Sequence, residues 1–299
     1  SGCGWPGTDW AGTGILVVDT SNVDVDGNYV HDCEQAVGVV DFPECLYGPT
    51  WSGVVSDITV TNNDIINNEW GIQIANDASD ILVEYNDIYN TMYDAIDVYA
   101  YDACCPAPSD VDIHCNNISG SGYDGLWVGP LVTDTVNATC NWWGDPSGPY
   151  NATWNPSGLG DSVTGNAIAV PWIGVIAEAN GPYYADYRDG FTVHFSSAGT
   201  MAPICCGGSV SYHWDFGDGT YSDEPNPTHR YRPRESQWNV TVRLTVTVES
   251  LGHVCVDNDT AVVHFKKSGC NPPAVQILSP NDGATVSGIT TVKWSAIGY

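Results

Sequence analysis

Ile58-Thr59-Val60-Thr61-Asn62-Asn63-Asp64-Ile65 is the stretch on which the fold turns. Its apolar residues alternate, break around one Asn, and resume in register. The same segment, apolar-x-apolar-x-x-Asn-x-apolar, recurs at 23–30, 81–88 and 111–118, and Val136-x-Ala138-x-x-Asn141 followed by Trp143 closes the series. The fixed asparagines Asn28, Asn63, Asn86, Asn116 and Asn141 are spaced 35, 23, 30 and 25 residues apart. Between them a second motif, small-apolar-x-apolar, reads Gly14-Ile15-x-Val17, Ala36-Val37-x-Val39, Gly71-Ile72-x-Ile74, Ala95-Ile96-x-Val98 and Gly125-Leu126-x-Val128.

Alternation with period two means short strands with one buried face. A repeat of some two dozen residues cannot enclose a core by itself, so the coils must stack. The shortest spacing is the uninterrupted coil. Longer ones carry insertions, chiefly around 41–56 and 99–110. An Asn at one fixed turn position would form a ladder, each amide bonding its neighbours above and below and avoiding an unmade-bond cost of about 1–3 kcal/mol.

These repeats resemble the right-handed parallel β-helix family, including archaeal surface proteins with NosD-like and pectate-lyase-like repeats. Asn141-Trp142-Trp143-Gly144-Asp145-Pro146-Ser147-Gly148-Pro149, with Gly158-Leu159-Gly160-Asp161 and Pro171-Trp172, resembles the terminal coil of the archaeal members. The resemblance implies an all-β fold with a β-helix over 1–172. It also implies an archaeal cell-surface setting.

Longer alternating strands follow, at 190–195 and 240–248. Tyr212-His213-Trp214-Asp215-Phe216-Gly217-Asp218-Gly219-Thr220, with Asn226-Pro227-Thr228-His229-Arg230-Tyr231, closely resembles the PKD domain, an Ig-like β-sandwich, over 173–267. That likeness places Trp214 and Phe216 in the core and gives Asp215, Asp218 and Gly219 to a tight turn. Residues 268–299 read as a linker and the opening strands of another Ig-like module. Too short to enclose a core, they are expected to be either truncated or to complete a sheet on another subunit.

Composition narrows the function. Eight Lys and Arg stand against 36 Asp and Glu, for a formal charge of −28, and no cation precedes Arg188. Residues 1–171 hold 24 acidic side chains. Such a surface repels nucleic acid and anionic headgroups and attracts divalent cations or basic partners. No apolar run is long enough for a membrane span. The chain reads as a mature product or a fragment, without initiator Met or signal peptide. Eleven cysteines (Cys3, Cys33, Cys45, Cys104, Cys105, Cys115, Cys140, Cys205, Cys206, Cys255 and Cys270) lack zinc or redox spacing, so disulfides in an oxidising compartment are expected. Sequons at Asn117, Asn137, Asn151, Asn239 and Asn258 predict glycosylation outside the cell.

Many β-helices act on polysaccharides. A lyase needs Arg or Lys as base beside a uronate, and the helix has neither. The Gly-His-Gly and Arg-x-Lys signatures of polygalacturonases are absent. Aligned repeats stack Trp70, Asp94 and Asp124 on one turn, with Asp94 and Asp124 one strand spacing apart, about 5 Å. Turn chemistry accounts for such a pair, and calcium is the cofactor it would suit. Outward positions of the second motif are Gly38, Gln73, Asp97 and Trp127; Trp127 beside Asp97 makes a candidate glycan contact. His31 and His114 lie in different registers and suggest no metal site.

The resulting expectation is a non-catalytic structural glycoprotein of a surface layer, sheath or extracellular fibre, polymerising through its β modules with calcium between acidic surfaces. A secreted carbohydrate-binding or polysaccharide-degrading protein is the alternative.

Overall fold

The computed structural model describes residues 12–41, 54–103, 105–234, 237–266, 274–279 and 293–297. Six coils open the chain. The first three hold β1 (Thr13–Val18), β2 (Ser21–Asp26) and β3 (Tyr29–His31); β4 (Gln35–Val40), β5 (Val55–Thr61) and β6 (Asp64–Ile66); β7 (Trp70–Ala75), β8 (Ala78–Glu84) and β9 (Asp87–Tyr89). Then come β10 (Ile96–Tyr99), β11 (Ser109–His114) and β12 (Asn117–Ser119), β13 (Asp124–Val128) with β14 (Val136–Asn137), and β15 (Ser162–Thr164) with β16 (Ala167–Ile168). Equivalent strands pair in parallel into three sheets, ordered β1-β4-β7-β10-β13-β15, β2-β5-β8-β11-β14-β16 and β3-β6-β9-β12. This is a parallel β-helix. Register follows the sequence motif: Ile58 lies opposite Ile81, and Ile81 opposite Val111.

The inward columns of Val, Ile and Leu form one continuous core, closed at the last coil by Trp143 and Trp172. The bend between the second and third sheets uses one αL residue per coil: Gly27, Asn62, Tyr85, Cys115 and Cys140. Each stands immediately before a ladder asparagine. Asn63 Nδ2 donates to Asn86 Oδ1 at 2.9 Å, Asn86 Nδ2 to Asn116 Oδ1 at 2.9 Å, and Asn116 Nδ2 to Asn141 Oδ1 at 3.0 Å. The ladder thus satisfies polar groups at a corner where the sheet hydrogen bonding is interrupted. A second asparagine, Asn68, does the same at another corner, bonding Cys33 N–H and the Val30 carbonyl. Small residues open each first-sheet strand for want of room. A Cβ on Gly71 would lie 2.1 Å from the Ala95 carbonyl oxygen.

A second core begins at Val175 and includes Trp214, Phe216, Tyr231, Val242, Leu244 and Phe265. It lies within a sandwich of β17 (Tyr183–Asp186), β18 (Thr192–His194), β19 (Ser209–Asp215), β20 (Tyr221–Ser222), β21 (Thr228–Arg230), β22 (Asn239–Ser250) and β23 (His253–Lys266). Its larger sheet runs β17-β23-β22-β19-β20, and β18 pairs with β21. The expected tight turn forms, with Asp215 Oδ1 accepting from Gly217 N–H and Asp218 Oδ1 from Thr220 N–H and hydroxyl. β24 (Ala274–Ser279) and β25 (Lys293–Ile297) pair antiparallel with each other.

Candidate functional site

The outer face of the first sheet carries a cleft of about 550 Å³. It collects the residues that the repeat alignment stacks: Trp70, Asp94 and Asp124 from the turn column, and Gln73, Asp97 and Trp127 from the outward positions. Asp97 pairs in register with Gln73 on one side and Trp127 on the other. Trp70 stacks on Tyr93 at 4.4 Å between centroids and Tyr93 on Tyr123 at 5.6 Å. Trp127 lies 6.1 Å from Tyr99, whose edge meets Tyr101. Two groups of aromatic rings therefore flank a floor of amides and carboxyls.

The floor is ordered by a directed chain of hydrogen bonds. Thr13 Oγ1 donates to Gln35 Oε1 at 2.7 Å, Gln35 Nε2 to Gln73 Oε1 at 2.6 Å, and Gln73 Nε2 to Asp97 Oδ2 at 2.8 Å. Asp97 is 3% exposed, and its buried carboxyl shares a hydrogen bond with that of Asp94. Burial pushes its carboxyl up to about 8 against the pull of the Gln73 amide, and the charges of Asp94 and Asp124 add to the rise. Burial likewise raises Asp94, opposed by the Asp124 backbone N–H that donates to it at 2.7 Å. Asp124 is held from the other side, by the hydroxyls of Ser162 and, at 2.8 Å, Thr164.

Asp94 and Asp124 are thus neighbours, as their register requires, but the contact joins carboxylate to amide. As for the calcium expectation, one oxygen of Asp94 and both of Asp124 already accept hydrogen bonds from the protein. Among the described residues no three His, Cys, Asp or Glu side chains converge on a metal position. His31 pairs with Asp32 and His114 with Glu84, in different sheets.

The buried acid makes stability depend on pH. Folded Asp97 keeps a proton that the unfolded chain sheds near 4. Its contribution is therefore complete below about 4 and is lost as pH rises towards 8. Relative to Asp97→Asn, the parent protein should lose about 1.4 kcal/mol per pH unit between roughly 5 and 7 in urea titrations. Parallel pH profiles for the two proteins would show that Asp97 is not protonated in the fold.

Residues 183–263 match the PKD domain. Residues 8–129 match the right-handed β-helix region. Among curated proteins, collagenase ColA of Bacillus cereus strain ATCC 14579 is 42% identical over 71 residues, 24% of this chain and 7% of the collagenase. Collagenase ColQ1 of Bacillus cereus strain Q1 is 33% identical over 119 residues, 40% of this chain and 11% of that protein. The chain therefore spans only a small fraction of either relative.

Two disulfides join the β-helix to the PKD domain, Cys115–Cys206 and Cys140–Cys205. Cys115 and Cys140 share the αL column on successive coils, so the vicinal pair spans one strand spacing. Beside them the Trp142 ring stacks on His253 at 4.2 Å. Such crosslinks are typical of an oxidising compartment, and with the PKD domain they point to an extracellular protein. Cys33, Cys105 and Cys255 are buried. Cys3, Cys45, Cys104 and Cys270 lie outside the described residues. No helix among the described residues is long and apolar enough to cross a membrane.

The sequons divide by exposure. Asn137, Asn239 and Asn258 are exposed, and Asn151 is half-buried with Nδ2 donating to the Val163 carbonyl at 2.8 Å. Asn117 differs from the other four. It is 9% exposed, and its Nδ2 donates to Asp87 Oδ1 at 3.0 Å and to the Tyr89 hydroxyl, bonds that a glycan on this amide would have to displace.

Proposed function

We propose that this chain is a structural protein of a cell-surface layer, sheath or fibre that grips a polysaccharide in the β-helix cleft without cleaving it. The supporting observation is the cleft itself: Trp70 and Tyr123 face Tyr99 and Trp127 across a floor of Gln73, Asp94, Asp97 and Asp124. Sugar rings present apolar C–H faces to aromatic walls and hydroxyls to fixed acceptors, which is the chemistry these groups supply. The carboxyl groups and the absence of any cation before Arg188 disfavour uronates, whose charge would be repelled. The ligand is therefore a neutral polysaccharide. The PKD domain, stapled to the helix, carries the cleft as a rigid spacer within the assembly.

Hydrolysis is the second reading, favoured by the burial of Asp97 beside Asp94 and Asp124 in one cleft, an environment that raises a carboxyl as a general acid requires. One titration series separates the readings. Isothermal calorimetry against soluble neutral glucans, mannans and xylans should detect binding that Trp127→Ala weakens at least tenfold, about 1.4 kcal/mol. Polygalacturonate should not bind, and prolonged incubation should release no reducing ends. Release that Asp97→Asn abolishes would establish a hydrolase. Failure to bind any neutral polymer would remove the glycan ligand.

A further inference from the structure

The chain holds only eight Lys and Arg, and among the described residues five of them enter no ion pair with a carboxylate. All four ion pairs among the described residues join a histidine to a carboxylate. Arg188, Arg230, Arg232, Arg243 and Lys266 are all exposed, and none takes part in one.

Three of the arginines are arranged. Arg230, Arg232 and Arg234 alternate with buried Tyr231 and with Pro233 along one extended segment, and they line a groove of about 860 Å³ on the PKD domain. Arg230 is fixed by its Nε donating to the Gly190 carbonyl at 3.0 Å. The acid in this groove, Asp218, is already matched by His229 at 2.9 Å. Arg230 and Arg232, exposed and outside every ion pair among the described residues, therefore bring positive charge to the groove from one segment.

The complementary surface lies on the same molecule, at the other domain. Register places Asp57 beside Asp80 and Asp80 beside Asp110 on successive coils. All three are exposed αL turn residues, with φ of 55°, 54° and 49°. Strand spacing sets them about 5 Å apart, a column of like charges with no Lys or Arg anywhere in the β-helix to relieve it.

We propose that the arginine groove of the PKD domain docks the aspartate column of a second copy's β-helix, so that copies associate head to tail. The surface pairs two different patches, so the contact is heterologous and leaves both ends of any oligomer open. This names the contact behind the self-assembly proposed above and rests on that reading, but it fails separately. Fibres that form without the groove would remove this contact and leave the structural role standing.

The test uses the full chain in analytical ultracentrifugation. The parent protein should associate with rising concentration at low ionic strength, and at least tenfold more weakly in 0.5 M NaCl, where the screening length falls to about 4 Å. R230E/R232E/R234E and D57N/D80N/D110N should each be monomeric while retaining the parent's melting temperature and cleft binding; Asn tolerates the αL turns. Mixed, the two variants should form a 1:1 dimer and stop, since only one groove and one column survive. A parent that stays monomeric, association unchanged in either variant, or a mixture that remains monomeric would overturn the proposal. So would association abolished by EDTA, which would assign the contact to bridging cations. A monomeric parent that binds polygalacturonate through the groove would assign the arginines to an acidic glycan instead.

Discussion

Asn86→Ala should cost on the order of 5 kcal/mol of stability, whereas Asn28→Ala at the end of the same ladder should cost about 1 kcal/mol. Asn86 is 1% exposed and stands mid-ladder. Its Oδ1 accepts from the backbone N–H of Asn63 at 3.0 Å and from its Nδ2 at 2.9 Å. Its own Nδ2 serves the Val60 carbonyl, the Glu84 carbonyl and Asn116 Oδ1. Truncation strands two donors of Asn63 and weakens the support of three acceptors, all in a corner without solvent. Each orphaned buried group costs about 1–3 kcal/mol. Asn28, by contrast, is half-exposed and among the described residues has one ladder partner, Asn63, to which its Nδ2 donates at 2.9 Å. Guanidinium titrations of the two variants measure the difference. Equal and small losses would mean that the ladder follows from coil stacking rather than supporting it.

That ladder shows what sequence pattern can deliver. A residue held at the same point of every coil recurs beside the same neighbours, so alignment alone brings Asn63, Asn86, Asn116 and Asn141 together. The cleft was legible for the same reason: Asp97 and Trp127 are one register step apart, as are Asp94 and Asp124. Other parts had no such signal. Tyr99 and Tyr101 form one aromatic wall from the start of an insertion, where no repeat fixes position. Gln35 occupies the column of Trp70, yet its role depends on a hydrogen-bond direction that residue type does not encode. Asn117 carries a sequon and lies in an outward register, like Asp64 and Asp87. It is buried because Asp87 and Tyr89 engage its amide and the next coil bridges it at Trp142. Exposure is a property of what packs around a residue, and a local motif does not report it.

The column before the ladder Asn sets up the other large effect. Replacing all four cysteines of the two staples by Ser should split one melting transition into two and cost the coupled protein about 5 kcal/mol. The bridges span 91 and 65 residues, and closing either loop in the unfolded chain corresponds to between about 4 and 5 kcal/mol of lost entropy. The contributions do not add. Once one bridge has formed, the vicinal neighbour already sits one strand from its partner, so the second removes little further freedom. The C115S/C206S variant should therefore melt nearly as the parent does, in one step. What the pair of bridges adds is orientation. A single bond is a swivel, whereas two bonds from adjacent residues to adjacent coils fix the PKD domain against rotation about either one. Without both, the contacts that remain, among them the Trp142–His253 stack, Met201 against the β-helix core and the bond from Ile173 N–H to the Asn141 carbonyl, should permit relative motion. Calorimetry reads the coupling and small-angle scattering reads the rigidity. A single transition and an unchanged scattering curve in the four-Ser variant would show that the interface alone holds the domains, and the spacer role assigned to the staples would fall.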